Sequence, residues 1–463
     1  MASPRPFIIV ANTLPVRRQR ERGTTRWQPA PGGLASALTP VARAADGAWV
    51  GWTGATGRLG RAFTHDGIRM VPVPLSRHEV TAYYEGFCNG TIWPLFHGAV
   101  REPVYHRPWW STYVAVNERF ADMTAACASP GAVVWVQDYH LLLMPAMLRA
   151  RRPDLRIGFF LHIPFPSEDL FPRLPWRRQV VDGMLGADVI GFQTSGAARH
   201  LQRLARRFAD AEVQGNTVTV GGRTVLVDAF PISVDVARFE RAASSAAVQA
   251  RVGELRRTAG RGRRVLLGVD RLDYTKGIDL RLKAYAELLT RRPEMATSTV
   301  LVQVAVPSRD RVAEYRRLQE RVDAIVGRLN GEFGDVGVQP VNYVRRNLDF
   351  AELVAMYQLA DVMLVTPLAD GMNLVAKEFV ASRNEDRGVL VLSEFAGAAA
   401  ELKAALLVNP HDVDGTAEAI GRALDLSSTE QRRRMRALRA AVHANTVQDW
   451  AATFVATVRA IQK

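Results

Sequence analysis

Short runs of β-branched and apolar residues alternate along the chain with stretches of helical periodicity. This is the pattern of strands buried on both faces and joined by amphipathic helices. In the first half the runs predict strands over residues 7–11, 133–136, 156–161 and 189–192; in the second half they predict strands over 264–269, 299–304, 337–343, 362–365 and 388–392. Helices are predicted between them, over 279–290, 309–329 and 374–382. The segment 225–235 reads as a strand running through Pro231 into a connector, 237–260 is Ala- and Arg-rich and helical, and a fresh β-α alternation starts at Arg264. Two amphipathic helices without an intervening strand, 428–442 and 448–461, close the chain. This order predicts an α/β protein of two Rossmann-like, doubly wound domains facing each other across a cleft. Their bounds are 1–235 and 236–445, with a terminal helix over 446–463 packing back on the first domain. In such sheets ligands bind beyond the carboxyl ends of the strands.

Composition narrows the function class. The 463 residues are 48% hydrophobic and 23% charged, ordinary for a globular protein with large cores, which excludes disorder and a disulfide scaffold. Cys88 and Cys127 form no C-x-x-C pair and are expected as reduced, partly buried thiols. The first apolar run ends at Asn12, too soon for a secretory signal, and no run of about 18 apolar residues follows, so a cytoplasmic protein without membrane association is expected. The net charge of +14, from 60 basic and 46 acidic residues, fits anionic small substrates. Its charges fall in dispersed groups such as Arg17-Arg18 and Arg432-Arg433-Arg434, with no basic stripe interleaved with aromatics, so no nucleic-acid partner is expected.

Three strand-to-loop junctions carry polar residues in excess of what a turn needs. The first, residues 12–34, ends at Gly32-Gly33 opening a helix, where backbone N–H groups meet an anion or simply make a turn. The second, residues 268–277, places Arg271 and Lys276 five apart in a loop; they are either surface charges or two cations fixed for a diphosphate. Only five of the 60 basic residues are lysines, which favours the second alternative for Lys276. The third, residues 367–378, makes a turn at Asp370-Gly371 and starts a helix near Asn373, with Glu378 about one turn in, placed to accept from ribose hydroxyls. In the first half, Asp138 and His162 follow successive strands and become neighbours on one rim, while Tyr84 and Trp93 provide an aromatic wall. There is no Walker A loop, no metal-binding His or Cys motif and no G-x-S-x-G elbow, so neither a metal nor a cofactor is expected.

WVGWTG, YYEGFCNGTIWP, VQDYHL, FFLHIPFP, DRLDYTKGID, LNGEFG and DGMNLVAKE occur in this order. Together they resemble the trehalose-6-phosphate synthase family of retaining glycosyltransferases, over about residues 7–450. The resemblance implies a GT-B fold, a nucleoside-diphosphate glucose donor (UDP, ADP or GDP) and a sugar phosphate acceptor, glucose 6-phosphate. It implies that Gly33, Arg271, Lys276, Leu374, Val375 and Glu378 bind the donor. Arg271, Lys276, His162 and Asp370 are implied to be catalytic, the last two contacting the transferred glucose. Tyr84, Trp93, Asp138 and Arg309 are implied on the acceptor side, with Thr13. Retention without a carboxylate nucleophile implies front-face attack, with the two cations stabilising the departing diphosphate. A homo-oligomer is left open.

Three positions depart from the family pattern. Thr13 stands where members carry the arginine that clamps the acceptor phosphate, Ala369 where many carry arginine, and Leu348 where an aromatic is common. A bidentate cation is not replaced by one hydroxyl. Either Arg17 or Arg18 compensates, or the acceptor or donor sugar differs, as in a same-fold transferase of specialised metabolism, or the chain is a weak paralogue. A non-catalytic sugar-phosphate sensor is the remaining alternative.

Overall fold

The computed structural model describes residues 4–21, 24–30, 33–57, 61–258, 262–308 and 313–461. The chain forms two compact units, Met1–Ile232 with Gln448–Lys463, and Ser233–Val447.

Unit 1 is built on strands β1 (Arg5–Thr13), β2 (Val16–Glu21), β3 (Thr24–Pro29), β4 (Ala48–Trp52), β5 (Phe63–His65), β6 (Ile68–Pro72), β7 (Ala128–Gln137), β8 (Arg156–Phe160), β9 (Val189–Phe192), β10 (Glu212–Gln214), β11 (Thr217–Val220) and β12 (Arg223–Ala229). Seven of them run parallel in the order β6-β4-β1-β7-β8-β9-β12, edged by antiparallel β5 on one side and the meander β11-β10 on the other. β2 and β3 form a separate antiparallel ribbon. Phe7–Val10 of β1 and Val134–Val136 of β7 are buried on both faces, which is why these strands read as continuous apolar runs. The strand order reverses between β1 and β7, so the loops that follow them leave the sheet side by side.

The last helix, Val447–Ala460, lays its aromatic residues on this sheet. Phe454 stacks on Trp135 at 4.7 Å, and Trp450 meets Phe160 edge-on at 5.1 Å. A Cβ on Gly158 or Gly191 would fall 2.7 Å from the Phe454 ring, so glycines on two neighbouring strands make the groove that seats it.

Unit 2 contains β13 (Arg264–Arg271), β14 (Thr299–Val306), β15 (Val341–Val344), β16 (Val362–Val365), β17 (Val389–Ser393) and β18 (Leu406–Val408). All are parallel, in the order β15-β14-β13-β16-β17-β18. This is the Rossmann order, and it reverses between β13 and β16. Leu266, Leu301, Leu364 and Val391 from the strands pack with Leu282, Tyr285 and Leu288 of the helix Ile278–Arg291.

The structure corrects several spans. The strand expected from 337 begins at Val341, because Asp335 and Val338 close a turn by exchanging two N–H···O bonds of 2.9 Å. The helical stretch expected over 237–260 breaks at Ser244-Ser245 into Val236–Ala243 and Ala246–Thr258. The strands Ala48–Trp52 and Ile68–Pro72, the ribbon β2-β3 and the strands β5, β10, β11 and β18 carry too short or too mixed a pattern to announce themselves, whereas the strand read over 225–235 is β12, which begins at Arg223 and ends at Ala229. The helix expected over 309–329 is described as Ala313–Phe333; residues 309–312 lie outside the described residues. Most unusual is Val80–Ile92, a π-helix thirteen residues long carrying Tyr83 and Tyr84. A Cβ on Gly86 would sit 2.7 Å from the Trp109 indole, so the wide helix packs against that ring through a bare backbone. π-Helical segments concentrate at functional sites.

Candidate active site

In unit 1 the polar residues gather where β1 and β7 end. Asn12 is buried, and its Oδ1 accepts from the Tyr83 hydroxyl at 2.9 Å; that hydroxyl also reaches the His140 carbonyl at 3.3 Å. The Tyr139 hydroxyl donates to Asn89 Oδ1 at 3.1 Å, and Asn89 Nδ2 donates to the Tyr84 carbonyl at 2.6 Å. The π-helix is thereby tied to the loop after β7. Tyr84 lies half-buried with its ring nearly parallel to His140 (6.0 Å, 11°) and tilted toward Trp52. Trp93 is only 4% exposed and packs on His97 and Tyr139.

Asp138 adopts φ 71°, a conformation costly for a residue with a side chain, and such strain gathers at functional sites. Its Oδ1 accepts the backbone N–H of His162 at 3.2 Å, joining the loops after β7 and β8. The His162 ring is oriented through a chain of amides. Ile232 N–H donates to Gln193 Oε1 at 3.0 Å, which turns Gln193 Nε2 toward His162 Nδ1 at 3.4 Å. Nδ1 therefore accepts, and Nε2–H donates to Gln137 Oε1 at 2.9 Å. Burial pushes the ring's pKa down to about 3, so the imidazole is neutral. Both ring nitrogens are thus engaged inside the protein. Gln137 Nε2 is buried with no hydrogen-bond partner among the described residues.

Thr13 ends β1, exposed, and its carbonyl accepts from the Trp49 indole at 3.1 Å. A Cβ on Gly51 would lie 2.7 Å from the Thr13 carbonyl carbon, so β4 presses closely on this turn. Arg17 and Arg18 are exposed neighbours within β2; strand alternation sends them to opposite faces, and only one of them can point toward Thr13. Gly33 opens the helix Gly33–Ala44, whereas Gly32 and Arg309 lie outside the described residues.

In unit 2 the chemistry collects at the reversal between β13 and β16. Arg271 is the exposed last residue of β13. Lys276 follows in a short 3-10 turn, Tyr274–Lys276, capped by Asp273, whose side chain accepts the Thr275 N–H at 3.0 Å, and the Lys276 Nζ lies 2.5 Å from Asp370 Oδ2. Asn373 Nδ2 donates to the same oxygen at 3.0 Å. Asn373, at φ 69°, precedes the helix Leu374–Ala381, and its Oδ1 is buried with no partner among the described residues. Leu374 and Val375, half-buried, form the first turn of that helix, where backbone N–H groups are unused. Glu378 lies one turn further, accepting from the Tyr357 hydroxyl at 2.7 Å. Burial pushes the Glu378 pKa up, and the Tyr357 bond opposes that shift.

Two residues that sequence reading passed over hold this loop. Arg281 is 0% exposed and pairs with Asp270; it also donates to Gln303 Oε1 and Thr366 Oγ1, both at 3.0 Å, and reaches the Lys276 carbonyl at 3.5 Å. It thus binds together the ends of β13, β14 and β16 beneath Lys276. Gly277 takes φ 62°, and a Cβ there would come 2.7 Å from the Thr366 carbonyl. Arg281 lies on the helix after the loop, at a spacing that reads as an ordinary amphipathic position, so no local signal marked it.

Residues 5–460 match the model of glycosyltransferase family 20. The trehalose-6-phosphate synthase of Mycolicibacterium smegmatis is 50% identical over 459 residues, covering 97% of this chain and 91% of that protein. Among solved structures, the UDP-forming α,α-trehalose-phosphate synthase of Burkholderia xenovorans in complex with glucose-6-phosphate superposes with a TM-score of 0.90, at 34% identity, over 98% of this chain and 99% of that one. An E. coli structure bound with UDP-2-fluoro glucose does so with a TM-score of 0.90, at 32% identity, over 98% and 99%.

Proposed function

Because the chain belongs to glycosyltransferase family 20, we propose that it transfers glucose from UDP-glucose to glucose 6-phosphate with retention, giving trehalose 6-phosphate. It is a glycosyltransferase of the GT-B class using a nucleotide-sugar donor and a sugar phosphate acceptor. The observation that carries the reading is the Lys276–Asp370–Asn373 cluster beside Arg271, at the strand reversal of unit 2. A cation held against a carboxylate with little solvent is poised to exchange that carboxylate for an incoming diphosphate.

In this scheme Arg271 and Lys276 bind the diphosphate, and the helix start at Leu374 and Val375 with Glu378 holds the nucleoside. Asp370, released from Lys276, accepts from hydroxyls of the transferred glucose. The bond from glucose C1 to the diphosphate oxygen breaks. The anomeric hydroxyl oxygen of the acceptor bonds to C1 on the same face, and its proton passes to the departing phosphate oxygen. Charge then accumulates on the diphosphate, where the two cations lower the barrier; a well-placed donor of this kind is worth about 10²–10³ in turnover. Tyr84 and Asp138 hold the acceptor in unit 1, and His162 meets the transferred glucose without titrating. Thr13 occupies the phosphate end of the acceptor with a single hydroxyl.

Initial rates of transfer from UDP-, ADP- and GDP-glucose to glucose 6-phosphate, glucose and amino-sugar phosphates, with product identification, test the reading. Trehalose 6-phosphate is expected, fastest from UDP-glucose. Turnover of another acceptor but not of glucose 6-phosphate would make Thr13 the mark of a changed specificity and overturn the proposal.

A further inference from the structure

Unit 2 carries a cavity of about 570 Å3 at the end of its sheet opposite the donor loops, walled by Arg256, Arg264, Arg383, Arg387, Asp361 and Glu385. Arg264 begins β13, Asp361 precedes β16 and Gly388 precedes β17. Arg271 lies at the other end of β13, seven residue steps or about 23 Å away. The cavity is therefore separate from the candidate active site.

Its charges do not balance. Asp361 is committed to Arg256 at 3.1 Å and to the Val265 backbone N–H at 2.7 Å. Glu385 is committed to Arg383 at 2.8 Å. Arg383 is buried and also donates to the carbonyls of Tyr357, Gln358 and Arg387, at 2.7, 2.9 and 2.8 Å. Burial pushes its pKa down, Glu385 and Asp361 oppose that shift, and the neighbouring Arg256 and Arg387 guanidiniums reinforce it. Arg264 and Arg387 have no carboxylate partner among the described residues. Gly388, at φ 91°, keeps the wall open, because a Cβ there would approach Arg383 Nη2 to 3.2 Å.

Two uncompensated guanidiniums beside a fixed, buried third one form a receptor for a doubly charged oxyanion, since planar forks match phosphate geometry. The volume lies within the roughly 300–1,000 Å3 of small-molecule sites. We propose that this cavity is a second anion site, which takes the phosphate of a small phosphorylated molecule between Arg264 and Arg387.

The test is calorimetric titration of inorganic pyrophosphate and of ribose 5-phosphate into UDP-saturated protein, comparing wild type with R264Q/R387Q. Each lost guanidinium contact should weaken binding about tenfold or more, so the double variant should lose one equivalent of probe or bind it at least about 100-fold more weakly. Its glucose transfer should remain at the wild-type rate. Loss of ribose 5-phosphate binding along with pyrophosphate binding would establish the phosphate-ester site; loss of pyrophosphate binding alone would make it an inorganic anion site and overturn the proposal. Because Arg387 is exposed, R387Q alone provides the same test without risk to folding, with an expected loss of about tenfold. Equal stoichiometry and affinity in wild type and variants for both probes would overturn the proposal.

Discussion

Replacing Asp370 by Asn removes the anion from Lys276 while leaving the loop's shape alone. The two side chains are 12% and 14% exposed, with Nζ 2.5 Å from Oδ2. At that separation and an effective dielectric near 20 the gross attraction is about 6–7 kcal/mol. The amide oxygen of the variant still accepts a hydrogen bond, and breaking a buried pair costs about 3–5 kcal/mol. A pair that keeps some contact with water belongs at the lower end, about 3 kcal/mol. For a unit the size of Ser233–Val447 that is a fall in Tm of about 6–12 °C. A bound diphosphate supplies the missing charge and no longer has to displace a carboxylate. UDP should therefore bind Asp370→Asn more tightly than wild type, by up to about 100-fold, and should restore much of the lost Tm. Thermal unfolding with and without UDP and calorimetric titration of UDP measure both effects, with Lys276→Ala, which should bind UDP more weakly, as the control. A UDP affinity unchanged or lowered in Asp370→Asn would refute the assignment of Lys276 to the diphosphate.

Four other outcomes are expected. His162 is neutral with a pKa near 3, against about 6.5 for an unfolded chain. Its contribution to stability is complete above about pH 6.5 and is lost on acidification toward 3, by at most about 1.4 kcal/mol per pH unit; urea unfolding of His162→Asn should show a shallower slope between pH 6 and 4, and an identical slope would contradict the buried neutral ring. Tyr357→Phe strips Glu378 of its donor, and KM for UDP-glucose should rise about tenfold with kcat within about threefold; a collapse of kcat at constant KM would remove Glu378 from the nucleoside. Thr13→Arg should lower KM for glucose 6-phosphate about tenfold in steady-state assays, whereas no change would place the acceptor phosphate elsewhere. Phe454→Ala empties the groove between Gly158 and Gly191 and should destabilise unit 1 by about 3–5 kcal/mol in denaturant titrations; a cost below about 1 kcal/mol would mean that the last helix is not anchored there.

The sequence by itself determined the element order of both sheets' central strands and the placement of the polar motifs at their carboxyl ends. Strands buried on both faces write themselves as apolar runs, and a loop that must bind keeps residues that neither pack nor simply turn. Arg271, Lys276, Asp138, His162 and Asp370 stand out in the sequence for that reason. Their partners do not. Lys276 meets Asp370 across 94 residues because β16, rather than β14, flanks the other side of β13 at the sheet's reversal. Strand order is a property of how helices cover a sheet, and no local spacing records it. The same holds for Arg281, an unremarkable helix position until three strand ends close over it, and for the tautomer of His162, settled by an amide chain running from Ile232 through Gln193 to Gln137. Nor does the sequence record that Trp93 is only 4% exposed, directly after a π-helix. Local pattern specifies which residues a strand or loop presents; only the assembled sheet decides what each of them touches and which charge state that contact permits.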